Sequence, residues 1–304
     1  MTRPSRRRRV AALAAVGALG AAAFWWLSAP TTLPATAIPA HTADLRNGEI
    51  LYHAGSCLAC HKPPEGAAGL DAGLPSGGAA FSTPIGTFYP QNLTPDADTG
   101  LGRWSALDFV NAMRLGTSPA GTHYFPAFPY ASYRSMTIED LLDLRGFLLS
   151  LPAVKSQARA PDVRLAAVAR RGVGLWKRIA FLQAPYVPDP ARTASWRRGA
   201  YLSNAPGHCG ECHTPKNPLM VADNDRHMTG GPHPGGEGTV PSLRGLLARK
   251  KYKDAADLTL ALQNGEALGY EDLSSGGMAA IQENLSKLPE SDVRAISEYL
   301  LSLE

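Results

Sequence analysis

The pattern Cys57-Leu58-Ala59-Cys60-His61 returns as Cys209-Gly210-Glu211-Cys212-His213, and the two copies hold all four cysteines of the 304-residue chain. They stand 152 residues apart, and the same offset recurs: residues 137–151 (TIEDLLDLRGFLLSL) fall on 289–303 (PESDVRAISEYLLSL). Residues 45–52 (LRNGEILY) match 196–202 (WRRGAYL), shifted by about one position. A fixed offset across three segments is an internal duplication. Each copy reads as an opening helix, the cysteine motif, a long middle rich in glycine and proline, and a closing helix. The 30 glycines and 25 prolines suit long ordered loops, and 44% hydrophobic residues are enough to bury a core.

The closing segments carry helix signals. Thr137 and Asp140 make a Thr-x-x-Asp start, a variant of the capping box, and Pro289 suits a first-turn position. Ile138, Leu141, Leu142, Leu144 and Leu148 fall mostly at three- and four-residue spacing, as do Val293, Ile296 and Leu300. Between the copies, residues 163–181 form a basic amphipathic stretch, followed by Pro185, Pro188 and Pro190. That reads as a connector, partly helical and ending extended.

C-x-x-C-H is the attachment signature of c-type haem. Two thiols three residues apart on one helical turn can each form a thioether to a haem vinyl group. The next residue then carries an imidazole under the iron. Zinc ribbons use similar cysteine pairs, but about 15 to 20 residues apart, whereas Cys60 and Cys209 are 149 apart. A thioredoxin-like pair would need a βαβ context that is missing. Histidine is only 8 of 304 residues, so its presence after both motifs is not a coincidence of composition. The reading is two covalently bound haem c groups, held by Cys57 and Cys60 in the first half and by Cys209 and Cys212 in the second. His61 and His213 are the proximal iron ligands.

The N-terminus sets the compartment. Arg3, Arg6, Arg7, Arg8 and Arg9 precede 18 residues (10–27) with no polar side chain, which is an export signal with its charged end held in the cytoplasm. Residues 33–37 (LPATA) offer a cleavage site after Ala37. Against cleavage, 18 residues exceed the usual 7 to 15 of a cleaved signal and approach the roughly 20 that span a bilayer. Trp25 and Trp26 sit where aromatic rings favour the interface. The expectation is an anchor over residues 10–29 with the remainder on the periplasmic side, or a soluble periplasmic protein if cleaved. The five arginines exceed the whole chain's net charge of +4, leaving the remainder at −1. A nucleic-acid binder would need a basic face there.

A sixth iron ligand must come from elsewhere. Thioether sulfur stabilises the reduced iron and raises the potential. In the second half, Met278 ends the segment SSGGM, 21 residues before Tyr299. In the first half, the counterpart position lies in residues 124–130 (YFPAFPY), which hold no methionine. The candidates there are Met136, Met113 and His123, or an open iron. Met136 could equally be a hydrophobic staple for the closing helix. His53, His208, His227 and His233 read as structural or solvated. Trp104, Tyr124 and Tyr133 read as haem-pocket packing.

Three segments carry a family resemblance: residues 82–102 (STPIGTFYPQNLTPDADTGLG), 121–133 (GTHYFPAFPYASY) and 207–215 (GHCGECHTP). From about Asp44 to its end the chain resembles the cytochrome c subunits of periplasmic membrane-associated dehydrogenases acting on alcohols, gluconate, sorbitol and aldehydes. Such subunits usually carry three haems; this chain is a two-haem version. Many have Tyr-Pro-Ala-Met-Pro-Tyr with that methionine as axial ligand, where Phe128 stands in this sequence. Related two-haem cytochromes of the Phe-Pro-Ala-Phe form have a methionine where Met136 stands, so the resemblance favours Met136. It also implies that the Pro241 carbonyl accepts the His213 ring N–H.

The resemblance and the motifs imply an all-α chain of two tandem class I cytochrome c domains. The divisions are 1–40 (signal or anchor), 41–153 (first domain), 154–192 (connector) and 193–304 (second domain). The implied role is an electron carrier rather than an enzyme. It would take electrons from a periplasmic dehydrogenase and pass them to a terminal oxidase or quinone. The alternative is a peroxidase-like or thiosulfate-oxidising enzyme using an open or unusually ligated first haem. Protein matured with haem-ligation machinery should show a mass increase of two haems; an increase of none, or of zinc alone, would overturn the motif reading.

Overall fold

The computed structural model describes residues 6–83, 85–163, 166–233, 238–264 and 278–304 and is mostly helical. In chain order the helices are α1 (Arg6–Leu27), α2 (Leu45–Ala54), α3 (Cys57–His61), α4 (Ala106–Leu115), α5 (Tyr130–Tyr133), α6 (Ile138–Ser150) and α7 (Ala166–Ala180). Then come α8 (Ala194–Asn204), α9 (Gly210–His213), α10 (Ala255–Asn264), α11 (Met278–Leu285) and α12 (Glu290–Leu301). Strands β1 (Phe81–Thr83), β2 (Gly86–Phe88) and β3 (Asp162–Val163) form one antiparallel sheet, with Phe81 opposite Phe88 and Thr87 opposite Asp162. β4 (Gly231–Pro232) pairs with β5 (Thr239–Val240) in the second half.

The duplication is visible atom by atom. In each half the opening helix packs on the closing one, α2 on α6 and α8 on α12. A glycine makes this possible. A Cβ on Gly48 would lie 2.2 Å from the Asp143 carbonyl oxygen, and one on Gly199 would lie 1.8 Å from that of Ala295. Both distances are below any real contact, so the two backbones touch with no room for a methyl group. The apolar stripes read from the sequence face these contacts: Leu141, Leu144 and Leu148 are buried in the first half, and Val293, Ile296 and Leu300 in the second.

A polar clamp reinforces each pair. The Asn47 amide donates to Asp140 at 2.7 Å and to Asp143 at 2.8 Å. At the matching positions Arg198 grips Asp292 through two bonds of 2.9 and 3.0 Å. Thr137 caps α6 by accepting the Asp140 N–H at 3.1 Å, as its spacing to Asp140 predicts. Pro289 stands one position earlier than a first-turn residue, at the N-cap of α12.

The two halves share apolar surface. Ala54, at the end of α2, belongs to the second half's core with Leu202, Leu258 and Leu288. Reciprocally, Ala205, just past α8, belongs to the first half's core with Leu51, Leu101 and Met136. Tyr201 of α8 donates its hydroxyl to Asp140 and accepts the Thr137 N–H at 3.3 Å. His53 bonds the Asn284 side chain at 3.2 Å.

The connector is structural. β3 adds a strand to the first half's sheet, and α7 lies on that half through Val173, which packs with Phe88 and Phe125. Lys177 of α7 is buried and donates to the Leu115 and Gly116 carbonyls at the C-terminal end of α4, where a cation is favoured.

Replacing Gly199 with alanine is expected to cost about 1–3 kcal/mol, because a methyl group must be forced between two backbones. Gly172, with nothing within 4 Å of its Cβ position, is the matched control and should tolerate alanine without loss. Denaturant midpoints of the two variants check this.

Candidate haem-binding site

Each attachment turn begins with a strained residue. Ser56 and His208, immediately before Cys57 and Cys209, have φ of 46° and 39°, a left-handed conformation that non-glycine residues adopt rarely. Such strain persists where the surrounding structure requires it and concentrates at functional sites. Here it reverses the chain sharply, so that a long helix is followed at once by a short turn. None of the four cysteines is in a disulfide: Cys57 and Cys209 are half-buried, while Cys60 and Cys212 are exposed.

The histidines are aimed by backbone carbonyls. His61 Nδ1 lies 2.6 Å from the Gln91 carbonyl, and His213 Nδ1 lies 2.8 Å from the Pro241 carbonyl. A carbonyl can only accept, so Nδ1 must carry the proton and Nε2 keeps its lone pair. That is the tautomer an iron ligand needs, held by the partner such ligands generally have. Burial pushes both imidazoles below the usual histidine range, opposed by these same carbonyls, which favours the neutral, ligating form. The Pro241 contact is the one implied by the family resemblance.

A second element of the cradle has no counterpart among the residues read from the sequence. After each motif the chain returns to the histidine as a glycine with φ of 74°: Gly77 donates its N–H to the His61 carbonyl, and Gly230 to the His213 carbonyl, both at 2.7 Å. A Cβ on Gly77 would lie 2.6 Å from the Gln91 carbonyl carbon, and one on Gly230 would lie 2.6 Å from that of Pro241. The peptide that holds each ring is thus seated directly on a glycine. A signal exists, since Gly77 follows His61 by 16 residues and Gly230 follows His213 by 17, but these glycines stand among many others. Gln91 acts through its backbone, so its side chain offers no signal.

Paired thiols on one turn, a neutral histidine with Nε2 available, and a side-chain-free cradle behind it fit covalent haem in both halves. Among the described residues no three histidine, cysteine or acidic side chains gather as a metal cluster.

The methionine candidates lie as follows. Met136 is buried in the first half's core, the cluster against which Cys57, Leu58, Trp104 and Phe128 pack. Met113 is buried in the same core. His123 faces elsewhere: its Nε2 donates to the Ser28 carbonyl at 2.9 Å, at the end of α1. Met278 opens α11 instead of closing a loop, and residues 274–277, which precede it in the SSGGM segment, lie outside the described residues. Met228 is fully buried, its N–H donating to the Thr214 hydroxyl and its carbonyl accepting from Leu243. Of the remaining histidines, His208 packs edge-on to Tyr133, and His227 stacks on Tyr186 and reaches the Tyr299 hydroxyl at 3.2 Å.

The segments leading into the two turns adjoin: a Cβ on Gly55 would lie 3.3 Å from the Pro206 carbonyl oxygen, and one on Gly207 would lie 3.4 Å from that of Ala54. α5 also meets the second turn. Ser132 of the first half donates to Glu211, between Cys209 and Cys212, at 2.9 Å, and Lys216 pairs with the same carboxylate at 2.8 Å. The Tyr133 ring lies 5.6 Å from that of His208.

Two histidine-backed attachment turns in one chain define a c-type cytochrome with two covalent haem c groups. The chain is 37% identical over 300 residues to a dihaem cytochrome c-type protein of Cereibacter sphaeroides, covering 97% of both. It belongs to the family of dihaem c-type cytochromes that also contains cytochrome subunits of dehydrogenases, and it is an electron-transfer protein. It is 38% identical over 294 residues to one of the subunits of nicotinate dehydrogenase from Pseudomonas putida, spanning 96% of this chain but 24% of that one. With the fructose dehydrogenase cytochrome subunit of Gluconobacter japonicus it shares 32% identity over 278 residues, covering 88% of this chain and 54% of the relative. No family model matches the chain.

Gly77→Ala should push the Gln91 carbonyl off His61, and Gly230→Ala should do the same to Pro241 and His213. Losing such a ligand-orienting partner typically weakens metal binding about 10–100-fold. Because the thioethers keep the haem attached, each variant is expected to retain two haems per chain in a pyridine haemochrome assay but to show one weakened iron–histidine bond as a high-spin fraction in its oxidised spectrum.

Proposed function

We propose that the protein carries single electrons from a periplasmic dehydrogenase toward a terminal oxidase or quinone. Bound haem supplies a one-electron couple at iron; the protein's part is to ligate, bury and align it. The observation that carries this reading is the close approach of the segments leading into the two attachment turns, Gly55 beside the Pro206 carbonyl and Gly207 beside that of Ala54, which supports two sites near enough to act as a relay. The dehydrogenase partner is supported by relatives named as dehydrogenase cytochrome subunits. Those names lend nothing to a peroxidase-like or thiosulfate-oxidising alternative.

In this reading residues 41–153 and 193–304 are tandem class I cytochrome c domains joined by the connector 154–192. The repeated glycine contact between opening and closing helices supports that division. Cys57, Cys60, Cys209 and Cys212 bind the haems, with His61 and His213 as proximal ligands. Met136 is the sixth ligand of the first haem, supported by its burial in the core that Cys57 packs against. Met278 serves the second, supported by its repeat position. The buried His123 is engaged by Ser28, which argues against a bis-histidine first site.

The chain is held to the membrane by α1, which is 22 residues long, entirely unburied and apolar enough to span a bilayer. Retention of α1 is supported by the segment that follows it. The Thr31 carbonyl accepts from Thr117 at 2.9 Å, Leu33 N–H donates to Asn111 at 2.8 Å, and Leu33 and Ile38 pack on the first core. Cleavage after Ala37 would discard most of these contacts.

Carbon monoxide tests the carrier reading, because it binds reduced iron only where the sixth position is free. The wild-type protein is expected to bind none. Met136→Ala and Met278→Ala should each open one site per chain and lower that haem's potential, since each removes a soft ligand that stabilises ferrous iron. Rapid binding at one haem of the wild-type protein would instead favour the enzyme alternative.

A further inference from the structure

The connector helix α7 has two apolar faces. Val173, Lys177 and Ala180 are buried against the first half, as an ordinary amphipathic helix requires. The outward face should then be polar. Instead it carries Leu175 (half-buried), Ile179 (45% exposed) and, in the turn that continues the helix, Leu182 (81% exposed). Their spacing of four and three places them on one stripe. Arg171 and Arg178 flank it.

What lies beside this stripe identifies its occupant. α1 ends against α7: the Arg171 guanidinium stacks 4.1 Å over the Trp25 ring and donates to the Trp25 carbonyl, and Arg178 donates to the Leu27 carbonyl at 2.6 Å. His123 takes the next carbonyl, that of Ser28. Gly174 allows the approach, because a Cβ there would lie 2.3 Å from the Ser28 carbonyl oxygen. The last carbonyls of α1 are therefore satisfied by donors from α7 and the first half, with cations at the negative end of the helix dipole. Ile179 follows Arg178 directly, so the exposed stripe begins where α1 emerges. Trp25 and Trp26, 67% and 73% exposed, mark that level as the aromatic belt of a spanning helix.

Resting on the reading of α1 as a retained anchor, we propose that α7 lies in the bilayer surface. Leu175, Ile179 and Leu182 enter the headgroup–acyl boundary, and Arg171 and Arg178 stand at the depth of lipid phosphates. Cation-flanked apolar stripes on helices parallel to a membrane bind in this way. Continuity with the emerging anchor and the matching charge favour lipid over a protein partner. α7 is also fastened to the first half through Lys177 and Val173, so that half is held against the membrane in one orientation.

The full-length haem-loaded protein is reconstituted in phosphatidylethanolamine–phosphatidylglycerol vesicles with a photoreactive benzoylphenylalanine at position 179 or 182. Position 19 in α1 serves as the spanning reference, and position 260, where Leu260 of α10 is 53% exposed, as the surface control. Unchanged haem spectra verify folding. Lipid adducts at 19, 179 and 182 and none at 260 are the expected result. Adducts at 19 alone would overturn the surface assignment and leave the anchor standing, whereas none at 19 would overturn the anchor and this inference with it. In native membranes, protein adducts in place of lipid adducts at 182 would make the stripe a protein interface and overturn the proposal.

Discussion

The backbone contact between the first and last helix of each half determines much of what surrounds it. Gly48 on Asp143 and Gly199 on Ala295 bring two helices closer than any side chain would permit. That closeness fixes the ends of α2 and α8, and the attachment turns leave those ends within a few residues. The left-handed Ser56 and His208 then convert a fixed helix end into a fixed direction for the cysteines. The cradle glycines complete the geometry from the other side, so each histidine is defined by a helix end before it and a carbonyl beyond it.

Most of the chemistry is legible in the sequence because it is local. Two cysteines and a histidine within five residues state their purpose alone, and the Thr137 cap follows from spacing to Asp140. The duplication is equally legible, since an offset needs no structure to be seen. The remainder depends on distance along the chain. Gln91 contributes a carbonyl to His61 from 30 residues away, and Arg178 meets Leu27 across 151. Neither involves a residue type that advertises the contact. SSGGM reads as a loop, yet its methionine, Met278, opens α11.

The two halves solve one problem with different chemistry. Asn47 holds Asp140 and Asp143 by neutral amide bonds, while Arg198 holds Asp292 by a forked ion pair. In the first half the second acid is further used: burial would raise the Asp143 carboxyl, but bonds from His41, Asn47 and the Asp44 N–H outweigh this and lower it. Lys177 shows the opposite balance. Burial pushes its ammonium down to about 7, although the carbonyls of Leu115 and Gly116 and the face of Tyr130 all favour the charged form. This amine stands where the connector meets the first half, so the hold of α7 on that half is an electrostatic one set in an apolar seam.

The exchange of Ala54 and Ala205 between the two cores bears on how such a chain can change over time. Each half completes its own interior with a methyl group borrowed from the other. A duplicated gene begins with two self-sufficient copies, but once each copy lends a residue to its twin, neither can be lost or exchanged singly without opening a hole in the survivor. The pair has become the heritable unit.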